Sequence, residues 1–173
     1  MSRILDFTIY LTPDARELEQ KYIGNAMRTV SENLCRYFDT EPRFEFYDVP
    51  DHVEHAVMNT EPFPDMEQLY LHYAHHLTND GIVCVLLGRQ YLDDCGVASM
   101  NKSTIVVTPE APSLGQTILH ELGHCCGAVH VKDCASIMFP FSGGRTEDAS
   151  WDDLSKEIVS RGLWKHTLEY VHH

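Results

Sequence analysis

The sequence has few positive charges, no long apolar run and few cysteines. Its 13 lysines and arginines stand against 26 aspartates and glutamates, which gives a formal net charge of −13. This excess of acid argues against nucleic acid or an anionic membrane surface as a partner, and favours a basic or neutral substrate. Six cysteines are too few to hold 173 residues together as a disulfide scaffold.

Two absences bear on location. No apolar run approaches the roughly 18 residues that a transmembrane helix needs, so no membrane span is expected. Asp6 lies where a secretory signal peptide would have its apolar stretch. We therefore expect a cytoplasmic protein if the chain is complete, or a secreted one if a signal peptide has been removed. The length favours a single domain, residues 1–173, with a monomer as the expected state.

The hydrophobic pattern predicts an α/β (α+β) domain. The continuous apolar run 81–88 is typical of a central strand that is covered on both faces. A long amphipathic helix is expected to begin at Thr12 and Pro13 and to end near Phe38. The remaining segments are predicted strands at 3–11, 43–49 and 102–108, and predicted helices at 66–77, 113–127 and 150–161.

The segment that begins at His120 has the spacing of a zinc site. His120 and His124 are four residues apart and so share one face of a helix, where two imidazoles bind zinc at about 2.0–2.1 Å. Gly127 permits a tight turn that ends the helix, so that His130 approaches as a third ligand. Glu121 can reach the water on the metal without being a ligand. Three protein ligands leave a fourth position open, which is typical of a catalytic site.

This stretch resembles the metzincin clan of zinc peptidases, whose extended motif it matches at every fixed position. Met138, eight residues after His130, is similar to the methionine of the clan's Met-turn, and its surroundings resemble the matrixin branch. Pro140 stands where the astacin and serralysin branches have a zinc-binding tyrosine. Archaemetzincins carry a second, cysteine-bound zinc, which Cys134 alone does not supply. The branch therefore stays open.

The resemblance implies a twisted, mostly parallel sheet with an antiparallel edge strand, a long backing helix, an active-site helix and a C-terminal helix. An upper subdomain of about residues 1–130 would stand over a lower one of about 131–173. The implied activity is that of an endopeptidase with one catalytic zinc ion, Glu121 as general base and an extended polypeptide substrate that adds a strand to the edge of the sheet. The residues expected to contact that substrate are Ser99, Met100, Lys102, Ser103 and Thr104.

Other interpretations stay open at this point. The protein could bind zinc without turnover, or could hydrolyse a small or cell-wall type of amide. Phe139, Phe141 and Trp151 are candidates for a substrate pocket, although ordinary core packing is the stronger expectation for them. Cys95 and Cys134 are a candidate disulfide. The histidines at 72, 75 and 76 are expected to lie on a solvated helix face, because no acidic or cysteine partner stands beside them.

Overall fold

The computed structural model describes residues 3–58, 64–88, 95–109 and 113–169. Six strands form one sheet: β1 (Arg3–Leu11), β2 (Thr40–Asp48), β3 (Ile82–Leu86), β4 (Gly96–Ala98), β5 (Thr104–Val107) and β6 (Thr167–Glu169). The α-helices are α1 (Gln20–Phe38), α2 (Asp51–Met58), α3 (Met66–His76), α4 (Leu114–Cys125) and α5 (Asp153–Gly162).

The strand order is β2-β1-β3-β5-β4, and β6 pairs with β1 outside this path. The pairs β1–β2, β1–β3 and β3–β5 are parallel, whereas β4 runs antiparallel to β5 and β6 runs antiparallel to β1. This confirms the predicted fold class, a mostly parallel sheet with an antiparallel edge strand. Because β4 ends the order, one of its backbone edges has no strand partner among the described residues.

Side chains of β3 alternate between two hydrophobic clusters, which confirms that this strand is covered on both faces. Ile82, Cys84 and Leu86 pack with α1 and α4 on one side. Val83 and Val85 pack with α2 and α3 on the other. Since both faces of a parallel sheet are buried under helices, the strand has a continuous apolar sequence rather than an alternating one.

The predicted start of the first helix is wrong. Residues Asp14–Glu17 form a separate 3-10 turn, and α1 begins only at Gln20 because Leu18 between them is extended, with ψ 144°. Thr12 donates from both its backbone N–H and its hydroxyl to the carbonyl of Leu86. These bonds fix the start of the turn at the end of β3, and the extended Leu18 separates the turn from α1. Helix α2 and strand β6 were not predicted from the sequence.

Helix α4 is the most deeply buried of the five. Ser113 is its N-cap, and its hydroxyl accepts from the backbone N–H of Gln116. Gly115 lets α4 approach α1 closely, because a Cβ there would lie 2.6 Å from Cβ of Thr29. The sheet, α1 and the segment after residue 130 thus enclose α4 and fix its orientation. Within the described residues, none of the helices combines the length and apolar character that crossing a bilayer requires.

Candidate metal centre

The three predicted ligands converge at the carboxyl end of α4. His120 and His124 lie one helical turn apart, and Gly127, with φ +101°, reverses the chain so that His130 faces them. One ring nitrogen from each of the three residues lies within 4.8 Å of the other two, and Nε2 of His124 is 3.1 Å from Nε2 of His130. Tetrahedral zinc with bonds of about 2.0–2.1 Å separates its ligand atoms by about 3.3 Å. The cluster therefore fits one zinc ion.

Two backbone carbonyls fix the tautomers of the helical ligands. Nδ1 of His120 lies 2.7 Å from the carbonyl oxygen of Ile137, and Nδ1 of His124 lies 2.9 Å from that of Ala128. A carbonyl oxygen only accepts hydrogen bonds, so each Nδ1 carries the proton and donates it. Each Nε2 is therefore left with a free lone pair, which is the form that binds zinc.

Desolvation disfavours the charged form of all three imidazoles, most strongly that of His120, which is the most buried of them. Desolvation lowers the pKa of His120 to about 3. The hydrogen bond to Ile137 raises this pKa, but its effect is the smaller of the two. Desolvation also lowers the pKa of His124, and it lowers that of His130 with a smaller contribution from the charge of Arg145. Protons therefore compete poorly with a metal ion for these rings at neutral pH.

Glu121 lies beside the first ligand, on the wall of a cleft of about 470 Å³ that also contains the three histidines. The Glu121 side chain is only 5% exposed. Gly96 of β4 packs directly against it, since a Cβ at Gly96 would lie 2.9 Å from Oε1 of Glu121. The carboxylate is thus held between α4 and the edge strand. Other residues lining the cleft are Cys95, Gly96, Val97, Ala98, Thr117, Pro140, Phe141, Gly143 and Arg145.

Met138 is fully buried against α4, at the level of the two helical histidines. A Cβ on Gly123 would lie 2.4 Å from the Met138 sulfur, so glycine is required for this approach. The backbone N–H of Met138 donates to the hydroxyl of Ser136, which itself donates to Asp152 over 2.6 Å. The same short segment provides the Ile137 carbonyl that orients His120. That Met138 belongs to a Met-turn in the family's sense stays a prediction.

The five residues predicted to contact substrate lie in the connection from β4 to β5 and at the start of β5. None of them lines the cleft, which instead is lined by Gly96–Ala98 just before them. Asn101, with φ +59°, donates its backbone N–H to the carbonyl of His124 and so packs the connection onto the end of α4. Met100 is 42% exposed, and Thr104 is buried in β5. Substrate contact by these five residues stays a prediction.

The aromatic candidates divide between the cleft and the core. Phe141 lines the cleft and is 69% exposed. Trp151 is buried, packs edge-on against Phe38 with ring centroids 5.5 Å apart, and donates its indole N–H to Asn33. Trp151 is therefore a core residue, as the stronger expectation had it, and among the described residues that line the cleft Phe141 offers an aromatic side chain to a ligand.

The candidate disulfide does not form. None of the six cysteines is in a disulfide, and Cys134 is exposed while Cys95 is half-buried. On α3, the rings of His72 and His76 lie 4.6 Å apart, and those of His75 and His76 lie 4.8 Å apart. In the part of the chain that the structure describes, His120, His124 and His130 are nevertheless the one cluster with metal-binding geometry.

Sequence reasoning missed Arg145. Its side chain is only 7% exposed yet lines the cleft. It follows a turn of 3-10 helix at Ser142–Gly144, and Nη2 donates to the carbonyl of Phe139 over 2.9 Å. No local pattern marks such a residue, because only the folded path of the loop brings it beside the histidines.

No protein-family model and no curated protein matches this sequence. Solved structures do match its fold. Metalloproteinase-II from Bacteroides fragilis superposes with a TM-score of 0.72 at 12% identity over 92% of this chain and 53% of that chain. Archaemetzincin from Methanopyrus kandleri gives a TM-score of 0.65 at 16% identity, covering 92% of this chain and 96% of that chain.

Archaemetzincin from Archaeoglobus fulgidus, in a structure with malonate, gives a TM-score of 0.56 at 12% identity, covering 89% of this chain and 99% of that chain. The chain thus spans about half of the Bacteroides protein and nearly all of each archaemetzincin. At these identities the comparisons show a shared fold. It is the fold of metallopeptidases, and here it carries a three-histidine cluster that fits one zinc ion.

Proposed function

We propose that the protein is a zinc-dependent peptidase in which His120, His124 and His130 hold one catalytic zinc ion and Glu121 is the general base. The observation that carries this proposal is the convergence of three ring nitrogens on one point of a cleft that also contains the Glu121 carboxylate. The fold shared with solved metallopeptidases supports it. Three protein ligands leave a fourth coordination position, as catalytic zinc sites do.

We propose the following roles for the residues of the site. Bound zinc supplies a Lewis acid that polarises the scissile carbonyl and acidifies water. The carbonyls of Ile137 and Ala128 hold two ligand rings in the metal-binding tautomer. Glu121 accepts a proton from the attacking water and delivers it to the leaving amine. Its position between α4 and Gly96 fixes the direction in which the carboxylate acts.

The substrate we propose is an extended polypeptide. Among the described residues strand β4 pairs only with β5, through one backbone edge, and Gly96–Ala98 line the cleft. A peptide that adds a strand to the other edge would lie across the metal ligands, bound mainly through backbone hydrogen bonds. The proposed contacts of Ser99, Met100, Lys102, Ser103 and Thr104 would continue the same edge beyond the cleft.

We further propose that the site is of the metzincin type, with Met138 as its Met-turn methionine. Support comes from the spacing of the motif and from the burial of Met138 against Gly123, between the two helical ligands. The archaemetzincin fold similarity is consistent with this assignment. No second cluster of metal-binding geometry is found within the described residues, so the proposal includes one zinc ion.

A peptide-mixture digest tests the function. The zinc-loaded protein is incubated with a diverse peptide mixture, and new termini are identified by mass spectrometry before chelation, after 1,10-phenanthroline, and after zinc is restored. The proposal predicts internal cleavage that chelator abolishes and zinc recovers. About one zinc per chain without any cleavage would contradict it, and would favour a zinc-binding protein without turnover or an amidase acting on other amides.

A further inference from the structure

Arg145 is a buried cation without an acidic partner at ion-pair distance among the described residues, although the charge of the Glu121 carboxylate in the same cleft also acts on it. Its side chain is 7% exposed, and among the described residues no carboxylate oxygen lies within the 4.0 Å of an ion pair. The described ion pairs, by contrast, lie on the surface, as with Arg16 and Asp48. Buried guanidinium groups are normally paired with carboxylates, because water has been removed from the charge.

The hydrogen bonds of Arg145 use little of its capacity. Nη2 donates to the Phe139 carbonyl, and Nε is buried with no partner. Nη2 also lies 3.2 Å from Nδ1 of His120, but that nitrogen already donates to Ile137 and cannot accept a second donor. A guanidinium has five N–H donors in a planar fork that matches a carboxylate. Donors therefore remain for a ligand.

The backbone around Arg145 is held firmly, which places the guanidinium in advance. The N–H of Thr146 donates to the carbonyl of Cys134, and the buried amide of Gln116 donates to the carbonyls of Thr146 and Glu147. Gln116 belongs to α4. Helix α4 thus carries two of the three histidines and also holds the loop that presents Arg145, which orders the guanidinium beside the cluster before a ligand arrives.

We propose that Arg145 is a specificity-determining residue that binds a carboxylate of the substrate inside the cleft. This inference rests on the proposed function and names its substrate class: peptides with an acidic side chain, or a free C-terminal carboxylate, beside the bond to be cut. The local charge thus reverses the expectation from net charge alone, which favoured a basic or neutral substrate. The net negative charge of the protein affects how a substrate approaches from a distance, whereas Arg145 determines which substrate groups bind once they are in contact.

Binding to an inactive protein tests the proposal without relying on turnover. Zinc-loaded Glu121→Gln protein is titrated by calorimetry with four acetylated hexapeptide pools. The pools hold either glutamate or glutamine at one of the central positions, with mixed neutral residues elsewhere, and each is made as the C-terminal acid and as the amide. If a peptide carboxylate forms a charged hydrogen bond with Arg145, its Kd should be roughly 10- to 100-fold lower than that of the pool with glutamine and a C-terminal amide, which has no carboxylate. Preference for glutamate identifies a side-chain site, and preference for the free acid identifies C-terminal capture.

Substitution of Arg145 separates its effect from direct binding of carboxylates to zinc. Arg145→Met, made in the same background, is expected to abolish the carboxylate preference, and Arg145→Lys to retain part of it. Arg161→Gln is the matched control, because it removes one positive charge from the exposed face of α5. Zinc content and circular dichroism are measured for each protein, and Arg145→Lys provides the comparison if Arg145→Met fails to fold.

Equal affinities for all four pools overturn the inference, as does no detectable binding of the carboxylate pools at millimolar concentration. A carboxylate preference that survives Arg145→Met also overturns it. The outcome is independent of the proposed activity. If the carboxylate preference depends on Arg145 but the parent protein never cleaves peptides, the carboxylate site is supported and the proposed peptidase activity is rejected. If the parent protein cleaves peptides but shows no carboxylate preference, the peptidase activity is supported and the carboxylate site is rejected.

Discussion

Gly123 and Met138 are in contact at the centre of the site, where a single added methyl group would place a carbon 2.4 Å from the methionine sulfur. The sulfur has little room to move, because Met138 is fully buried and Trp151 borders the same position, 3.3 Å from where a Cβ on Gly123 would lie. Helix α4, the methionine and the tryptophan are thus packed around a position that has no side chain.

Gly123→Ala is therefore expected to destabilise the protein by about 1–3 kcal/mol, the usual cost of overpacking a core. Urea unfolding of the zinc-loaded protein measures the change. Gly24→Ala is the matched control, because a Cβ at Gly24 in α1 meets nothing within 4 Å. That variant should be stabilised by roughly 0.5–1 kcal/mol, since alanine is the better helix former. Equal effects of the two substitutions would contradict the packing described.

Metal stoichiometry distinguishes the ligand cluster from the other histidines. His130→Ala removes one of three ligands, and we expect zinc affinity to fall at least 100-fold, beyond the effect of losing an outer partner. His75→Ala removes an exposed histidine of α3 that does not belong to the cluster. It should retain about one zinc per chain after dialysis, as measured by elemental analysis. Zinc retained by His130→Ala would exclude the proposed ligand set.

The stability of the metal-free protein should depend on pH through His120. Its folded pKa of about 3 lies below the ordinary value of 6.5, so protonation favours the unfolded chain. The stabilisation is complete above pH 6.5 and is lost as the pH falls from 6.5 towards 3, by at most about 1.4 kcal/mol per pH unit for one such group. The lowered pKa values of His124 and His130 act in the same direction.

Urea unfolding of the metal-free protein at pH 7, 6 and 5 measures this slope. His120→Asn should flatten it, because the asparagine amide can donate to Ile137 without titrating. Stability that stayed constant or rose between pH 7 and pH 5 in the parent protein would show that His120 is not held neutral by burial.

The cysteines should react in two groups. Burial raises the pKa of Cys84 and Cys126 to about 12 and raises that of Cys125 well above its ordinary value, whereas Cys35 and Cys134 are exposed. Because the thiolate is the reactive form, iodoacetamide at pH 8 should label the exposed pair in the native protein and the buried three only after unfolding. Mass spectrometry of the labelled peptides measures how far each cysteine has reacted before and after unfolding. Rapid native labelling of Cys125 would contradict the described packing of α4.

The histidine cluster was predictable from the sequence because the relation among its residues is local. The helical repeat brings His120 and His124 together, and the freedom of Gly127 at positive φ returns His130 to them. The apolar run of β3 likewise indicated a buried strand, since each of its residues meets one of two helical layers. Short-range geometry determines both features.

Other parts of the site depend on contacts between residues far apart in the sequence, which a short sequence motif does not predict. Gly96 meets Glu121 only because the sheet brings β4 against α4, and Arg145 reaches the cleft only through the path of its loop. The helix predicted from Thr12 likewise starts at a long-range contact, since Thr12 is bonded to Leu86 of β3, and the chain is extended at Leu18 before α1 begins. Long-range contacts decide these features, and local propensity does not reveal them.

The central claim is that Glu121 acts as a general base on a zinc site, and Glu121→Gln tests it most directly. Glutamine has nearly the same shape and so fits against Gly96, and the three histidines are unchanged. We expect zinc content near one per chain, unchanged stability, and peptide cleavage reduced at least 100-fold, as loss of a general base predicts. Glu157→Gln, on the exposed face of α5, should cleave like the parent. A zinc-loaded Glu121→Gln protein that cleaved the peptide mixture at the parent rate would contradict the account.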